Sequence, residues 1–447
     1  MKNNLILIFF AAVLIPGFSR PLLAQALLPA PAMSSAQDNP DLKFEALPEG
    51  LSPAQLVRFD EVARFVEENY VDPVRRGQLL AGARQGMESL IGPFSREYLF
   101  YGAMHGMFKD LGRYSQFYTP EEYKAFRAVY QGAYAGIGIM DGDKAPGQAV
   151  PVDVVLPGSP AEQAGLRSGD RIVEINGVDA RSLTREECNK KLVDPKNSQV
   201  ILKFLRGTSP DALTTTITRA YIQIPNSVSK MLPGNQGYVY FNSFRWKDAS
   251  DNTALEVLDR VRDLVHQEPG ASAIILDIRN NSGGDLRAAA ALAAAFLHQG
   301  QVIVTLKGRQ EEKRFGVPQT GEFAEIPLKL LVNGHSASAS EILAGALQDY
   351  KRAVVYGQQS YGKGSAQYVP PMAADGTSLK LTMQRWYTPN GRSIDRGSDG
   401  KGGVTPDVTV PVSDAVETKA LRNITKELFK VSVTESAPDP VLEEALK

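Results

Sequence analysis

Three serines, Ser336, Ser338 and Ser340, and a lysine held between two glycines, Lys363, stand in the stretch from Val332 to Gln367. An apolar strand, Leu328 to Asn333, runs into the serines, a helical run leads out of them to about Tyr350, and a short strand, Ala353 to Tyr356, precedes the lysine. A serine at a strand-to-helix turn is exposed beside helix N-terminal amides, where a nucleophile can be used. A lysine between Gly362 and Gly364 sits on backbone that can approach other backbone closely. Together they offer acyl transfer. The hydroxyl attacks a carbonyl, and the amine takes its proton provided that burial disfavours the ammonium form. Moving a lysine from about 10.4 to near 8 corresponds to roughly 3 kcal/mol of differential destabilisation. A Ser/Ala-rich helix start and a surface lysine in a turn would read the same way, so these residues alone leave chemistry and filler evenly balanced.

The elements that must position them belong to a chain of 447 residues, long enough for two or three domains. Basic and acidic side chains number 49 and 50, a balance that argues against a nucleic-acid surface. Lys2 precedes an apolar run, Leu5 to Phe18, and Ala24 and Ala26 stand where a signal peptidase reads, with cleavage expected after Ala26. This is a secretory pattern, and an uncleaved anchor is the other reading. No cysteine follows the run for a lipid to be attached to. The single cysteine, Cys188, cannot form an internal disulfide and lacks partners for a zinc site. The four histidines show no ligand spacing, and no metal or other cofactor is expected.

In chain order, residues 1–26 read as the signal peptide and 27–50 as a Pro/Ala/Ser-rich linker. Residues 51–131 form a helical region, with helices expected from Ser52, over Leu79–Leu90, over Tyr98–Leu111 and from Pro120 to about Tyr130. Gly86-Met87 with Ser95 and Tyr98 is echoed by Gly106-Met107 with Ser115 and Tyr118, as a duplicated helical hairpin would produce. From Gly132 short apolar runs alternate with glycine and proline: a strand over Tyr134–Ile139, a hairpin at Asn176-Gly177, a helix over Thr184–Leu192 and a closing strand over Gln199–Arg206. After Ala220 the texture is α/β, and a buried strand, Ala271 to Ile278, ends in Asn281-Ser282-Gly283-Gly284 before an alanine-rich helix. Glycines there bring backbone amides into open space, which makes either an oxyanion hole or a tight turn.

The segment 132–215 resembles a PDZ domain of the bacterial protease type through Gly136-Ile137-Gly138-Ile139, Ser159-Pro160-Ala161, Ala164-Gly165-Leu166, Gly169-Asp170 and Ile175-Asn176-Gly177. Such a domain adds a peptide as an extra strand and captures its terminal carboxylate on backbone amides. Ile137, Gly138 and Ile139 would line the carboxylate end. A small structural β domain that binds no peptide is the alternative. The order of helical region, PDZ-like insert, LDIRNNSGG, SASASEI, YGKGSAQ and WYTPNGRSI…GGVTPDV resembles the carboxyl-terminal processing, or tail-specific, serine proteases from about Leu56 to Val410.

That resemblance implies a multidomain α/β protein with a crotonase-like (ClpP-like) core over 216–412 and a C-terminal helical segment over 413–447. It makes Ser338 the nucleophile, Lys363 the base and Gln367 the residue that completes the site, orienting the lysine without adding charge. Gly283 or Gly284, with Ala339, would supply the oxyanion amides. His335 lies too near Ser338 in sequence for triad geometry. Asp349, about three helical turns past Ser338, and Glu341 read as structural, capping or pairing with Arg352. Arg167 is a candidate link between PDZ domain and core. The usual Asp-Pro-His/Tyr-Ser is here Gly112-Arg113-Tyr114-Ser115, and Asn-Pro-Gly-Gly is Asn281-Ser282-Gly283-Gly284, whereas the aromatic before Gly-Lys-Gly is kept as Tyr361. The expectation is an exported, periplasmic or otherwise extracytoplasmic, endopeptidase for proteins with apolar C-terminal tails. An adaptor protein and further copies of the chain are candidate partners, and nucleic acid is not. A catalytically vestigial PDZ scaffold is the alternative function.

Overall fold

The computed structural model describes residues 50–447 apart from 91, 93, 143, 194–198, 371, 398–399 and 432–436. The expected signal segment and nearly all of the linker lie outside the described residues. Among the described residues no helix is long and apolar enough to cross a membrane. The first helices are α1 (Pro53–Asn69), α2 (Arg76–Glu88), α3 (Arg96–Phe108) and α4 (Pro120–Tyr130). Ser52 opens α1 as a capping box: its hydroxyl accepts from Gln55 N at 3.3 Å while the Gln55 side chain accepts from Ser52 N at 2.8 Å. Helices α2 and α3 touch backbone to backbone through glycines, so that a Cβ on Gly86 would fall 2.0 Å from the Gly102 carbonyl oxygen and one on Gly106 would fall 2.2 Å from that of Gly82. The sequence echo is not a duplicated hairpin. Ser95 caps α3, but Ser115 leads into a strand, Gln116–Tyr118, which pairs with Ser378–Tyr387 and so ties the helical region to the rest.

Residues 139–218 build a six-strand sheet, five strands in the order Ile139–Asp141, Val150–Val155, Arg171–Ile175, Gln199–Leu205, Leu213–Thr218 and the sixth, Val178–Asp179, hairpinned onto the third of these through Asn176-Gly177. Both turn residues have positive φ, 50° and 78°, as this tight hairpin requires. Two short helices, α5 (Pro160–Gln163) and α6 (Arg185–Leu192), close the sheet over Ile137, Val152, Ile172, Leu192, Val200 and Phe204. Cys188 is buried in α6, with its thiol 3.7 Å from the Ala180 carbonyl oxygen, a packing position. The run Tyr134–Ile139 is not one strand. It breaks at Gly138 (φ 85°), so that Ala133–Gly136 forms a separate ribbon with Ala220–Gln223 while Ile139–Asp141 becomes the sheet's edge.

The remaining chain centres on a six-strand sheet in the order Ser227–Leu232, Gln236–Phe241, Ala273–Asp277, Leu328–Val332, Ala353–Gly357, Val408–Thr409, parallel except for the first pair. Side chains alternate across it. Val239, Phe241, Ile274, Leu276 and Leu330 pack under α7 (Thr253–His266), α8 (Leu286–Ala294) and α9 (Ala339–Asp349), while Tyr238, Tyr240, Ile275 and Leu331 pack under α10 (Asp414–Leu428) and α11 (Pro440–Leu446). A second sheet, Gln116–Tyr118, Ser378–Tyr387, Val302–Gly308, Glu312–Gly316, with Ser365–Tyr368 also on Ser378–Tyr387, bridges this unit and the helical region. Its outermost strand is Glu312–Gly316. Because α2 and α3 meet without room for a methyl group, Gly106→Ala is expected to lower unfolding free energy by about 1–3 kcal/mol, as a urea melt would measure.

Candidate active site

The strand Leu328–Val332 delivers the chain to the serine turn at the carboxyl end of the parallel sheet. Each serine there has a different task. Ser336 accepts from Asn333 N at 3.0 Å and donates to the Ile278 carbonyl oxygen at 2.8 Å, and Ser340 donates to the Asn281 carbonyl oxygen at 2.7 Å. Both are fully buried, and both tie the turn to the neighbouring glycine loop. Ser338 is half-buried and sits at φ 57°, ψ −114°, a conformation that costs an L-residue energy and is held by its surroundings. Its hydroxyl makes no capping bond, although the residue is the N-cap of α9. The turn thus presents one accessible hydroxyl at a helix N-terminus.

Glu341 does the holding. Its buried carboxylate accepts from Ser338 N at 2.7 Å, Lys363 N at 2.9 Å, Gly362 N at 2.6 Å and the Ser360 hydroxyl at 2.5 Å. One oxygen, Oε2, receives both Ser338 N and Lys363 N, so these nitrogens lie no farther apart than the two bonds laid end to end. Burial raises the Glu341 carboxyl above its usual range, and the four donors oppose that shift. With four donors and no acceptor facing it, the geometry accommodates the ionised form. The sequence assigns Glu341 a structural role, capping or pairing with Arg352, and of the two it is the capping contact, at Ser338 N, that forms. Arg352 instead donates to the backbone oxygens of Phe296, Phe323 and Ile326. The signal was present as Ser338-x-x-Glu341, capping-box spacing.

Lys363 is gripped on its other side as well. Its carbonyl oxygen accepts from Trp386 Nε1 at 3.0 Å, and the next amide, Gly364 N, donates to Asp395 Oδ1 at 2.7 Å. Its side chain runs inward to place Nζ 4.7 Å from the Tyr114 ring centroid, with no hydrogen-bond or ion-pair partner among the described residues. Burial pushes the amine down to about 8, Lys380 and Arg113 add to the fall, and Glu341 and Asp395 oppose it. Desolvation therefore outweighs the nearby carboxylates, one of which is already saturated with donors.

The glycine loop is organised by Asn281. Its side chain donates to the Phe241 carbonyl oxygen at 3.1 Å and accepts from Gly283 N at 2.9 Å, and its carbonyl oxygen receives Ala337 N at 3.1 Å. The Gly283 amide expected for an oxyanion hole is thus spent on Asn281. Gly283 (φ 97°) serves by closeness, since a Cβ there would fall 2.9 Å from both Ser338 Cβ and Ala339 N. The amides of Gly284 and Ala339 have no acceptor among the described residues. Behind the loop, buried Arg279 pairs with Asp277 at 2.6 Å and with Asp439 at 2.7 Å, and Asn333 joins Asn280 to Glu417. Asp439 caps α11 and Glu417 belongs to α10, so the C-terminal helices buttress this loop.

Other expected residues are placed differently. Gln367 donates to Ser365 Oγ at 3.0 Å and Thr382 Oγ1 at 3.3 Å and makes no bond to Lys363. His335 is exposed, and no partner of its ring is found among the described residues. Asp349 pairs with Arg392 and accepts from Asn390 N at 2.8 Å. Arg167 is exposed, and only its backbone is engaged, with Asp170. The expected link to the core is made elsewhere, by Lys426–Asp153 at 3.0 Å and by the two-strand ribbon. In the PDZ-like unit, the carbonyls of Ile137 and Gly138 accept from Ala161 N and Leu156 N at 2.8 and 2.9 Å, while the edge strand beginning at Ile139 is open on one side. A cleft of about 800 Å³ lies between this unit and the end of α10, lined by Ser159, Tyr221, Ile222 and Phe429, and neither Ser338 nor Lys363 lines it.

A model of peptidase family S41 matches residues 235–410, and a PDZ-domain model matches residues 152–206. A carboxyl-terminal-processing protease from Synechocystis sp. is 33% identical over 296 residues, covering 65% of this chain and 66% of the relative. One from Picosynechococcus sp. is 33% identical over 298 residues, covering 65% of this chain and 68% of the relative. The chain belongs to this family of serine peptidases. Its matched part spans about two thirds of these relatives' length. The solved photosystem II D1 C-terminal processing protease aligns with a TM-score of 0.51 at 28% identity, covering 87% of this chain and all of that one. The family's PDZ domain and peptidase core are therefore both present, and binding of protein substrates follows from them. Glu341→Gln would set an amide NH₂ against N–H donors, and it is expected to lower kcat about 100-fold with little change in KM, a loss of the size seen when a site's geometry is disturbed. Steady-state kinetics on an unfolded protein with an exposed tail would read it.

Proposed function

We propose that the chain is an exported serine endopeptidase that takes protein C-terminal tails onto its PDZ domain and hydrolyses peptide bonds near the C terminus. What supports the catalytic part is one observation: Ser338 and Lys363 hang from the same Glu341 oxygen, and the lysine amine is pushed down to about 8 by burial. In this reading Ser338 Oγ attacks the scissile carbonyl carbon and its proton passes to Lys363 Nζ. The oxyanion settles on the amides of Gly284 and Ala339. Lys363 returns the proton to the leaving amine, and the acyl ester on Ser338 is opened by water, with Lys363 again as base. Gln367 shapes the lysine pocket through Ser365 and Thr382. The crotonase-like class assigned to the core accords with the parallel sheet and its three covering helices.

Tail capture by Ile137, Gly138 and Ile139 is supported by the edge position of the strand that Ile139 begins. Gly138 is confined to glycine, because a Cβ would fall 2.2 Å from Ser159 Cβ at φ 85°. The domain limits at 51, 132, 216 and 413, the periplasmic site of action, and an adaptor or self-assembly belong to the same proposal. The other reading, a vestigial scaffold, is disfavoured by a lysine amine held below its ordinary pKa and unpaired among the described residues, which a binding module does not need.

The sign of the pH dependence follows from the lysine. The neutral amine is the working form, so its fraction rises with pH and reaches one half at about 8. The kcat/KM for a tail-bearing substrate is expected to climb about ten-fold per pH unit below that value and to level off above it. Ser338→Ala and Lys363→Ala are expected to lose at least about 1,000-fold in kcat. Cleavage by either variant at the wild-type rate would overturn the dyad.

A further inference from the structure

Two cations, Arg113 and Lys380, stand near the amine of Lys363, and neither is ion-paired among the described residues. The Arg113 guanidinium carbon lies 4.7 Å from the Tyr114 ring centroid and 5.7 Å from that of Tyr361, and Lys363 Nζ shares the Tyr114 ring. Lys380 Nζ stands 5.8 Å and 5.6 Å from the rings of Tyr118 and Phe126. No hydrogen bond or ion pair engages any of the three side chains among the described residues. Elsewhere around this sheet arginines are paired, Arg385 with Asp72 and Arg392 with Asp349. The carboxylates at hand are occupied: Glu341 by four donors, Asp395 by Gly364 N, and Glu122 by His105 and the cap of α4.

A fourth polar group lies beside them, since Arg113 and Lys363 Nζ both stand over the Tyr114 ring. The buried Tyr114 hydroxyl has the Tyr361 phenol, not a carboxylate, as its nearest hydrogen-bonding neighbour. Position on the sheet agrees. Gln367 lies across from Thr382, and Lys380 is two residues before Thr382 on the same strand, so Gln367, Thr382 and Lys380 share a face. The missing partner is therefore anionic, small enough to lie beside a lysine, and presented with the peptide being cut.

We propose that Arg113, Lys380 and the Tyr114 hydroxyl receive a carboxylate of the substrate, that of the short tail released on cleavage. This rests on Ser338 and Lys363 being the dyad. Arg113 matches a carboxylate through paired N–H donors, and Lys380 adds a point charge. A tail terminus occupies one place at a time, so capture on the PDZ edge and cleavage at the dyad are successive events. The cluster then fixes how far from the end the cut falls. It also gives the change from Asp-Pro to Gly112-Arg113 a use: the arginine stands where the anion must arrive.

The test uses the full chain and three peptides of one sequence, ending in a free carboxylate, in a carboxamide, or in a carboxamide on a terminal glutamate. The wild type is expected to prefer the free acid to the amide by about ten-fold or more, mostly through KM, the size of one charge-assisted contact. In Arg113→Gln with Lys380→Gln the ratio is expected to fall to about one, and in Arg113→Lys with Lys380→Arg to remain above it. Restored preference for the glutamate peptide supports a site that reads any carboxylate, and its loss supports one that reads the main-chain terminus. A wild-type ratio of one, or a ratio unmoved by the double Gln variant, would overturn the proposal and leave the PDZ domain as the only reader of the terminus. Ser338→Ala and Lys363→Ala, assayed on the amide peptide, keep the two readings apart: if they still cleave, the dyad fails, and if they are inactive while the ratio is one, only the carboxylate site fails.

Discussion

A buried carboxylate with four donors is the constraint on which the rest of this site depends. Glu341 lies in the first turn of α9, where the helix dipole favours negative charge, and it reaches both back to the serine turn and across to the Gly362-Lys363 segment. A carboxylate accepts several bonds at once, so one side chain registers two segments that the fold brings together from separate stretches of chain. The same group holds Ser338 in a conformation it would not adopt freely. Its charge would spoil a depressed lysine if it were unsatisfied. Being saturated by amides and a hydroxyl, it fixes the lysine's backbone while burial keeps control of the amine.

The second half of the site, the glycine loop, is braced from the opposite face of the sheet. Arg279 crosses between Asp277 and Asp439 with its side chain fully buried, and Tyr238 donates to Asp277 at 2.8 Å. Breaking one member of such a group leaves an uncompensated buried charge, which costs about 3–5 kcal/mol. The loop geometry is thereby coupled to α11 at the far end of the chain. Asn280, at φ 59°, reaches α10 through Asn333 and Glu417. The C-terminal helices are thus structural parts of the peptidase core although no chemistry-bearing side chain comes from them.

What the sequence made legible was whatever depends on local pattern. The strand-to-helix turn around Ser338, the glycine loop after Ile278, the Asn176-Gly177 hairpin and most helix starts follow from periodicity and caps over a few residues. What stayed hidden was set by contacts between distant segments. Glu341 has capping-box spacing, but its bonds to Ser360, Gly362 and Lys363 require a loop that returns about twenty residues later. Asn281 takes the Gly283 amide through a two-residue turn that glycine-rich spelling does not reveal. Gln367 carries the right residue type at the right distance, yet Ser365 and Thr382 take its amide. The echo of Gly106, Ser115 and Tyr118 reads as a duplicated helical hairpin, yet Ser115 leads into a strand that pairs with Ser378–Tyr387, a tertiary override of local pattern.

The choice of lysine ties chemistry to the closure of the whole molecule. A histidine base works at its ordinary pKa, but a lysine is useful only while it is desolvated. Here the cover over Nζ comes from Tyr114, a residue of the helical region, held in place because Gln116–Tyr118 pairs with Ser378–Tyr387 and Ser115 Oγ accepts from Thr382 N at 3.1 Å. Val71 N donates to the Thr382 carbonyl oxygen at 2.9 Å, a second tie between the same parts. Were that region to lift away, water would reach the amine, its pKa would rise toward the ordinary lysine value, and the neutral fraction on which the proposed base depends would fall without any change at Ser338. The helical region therefore supplies the low-polarity wall that the proposed base requires.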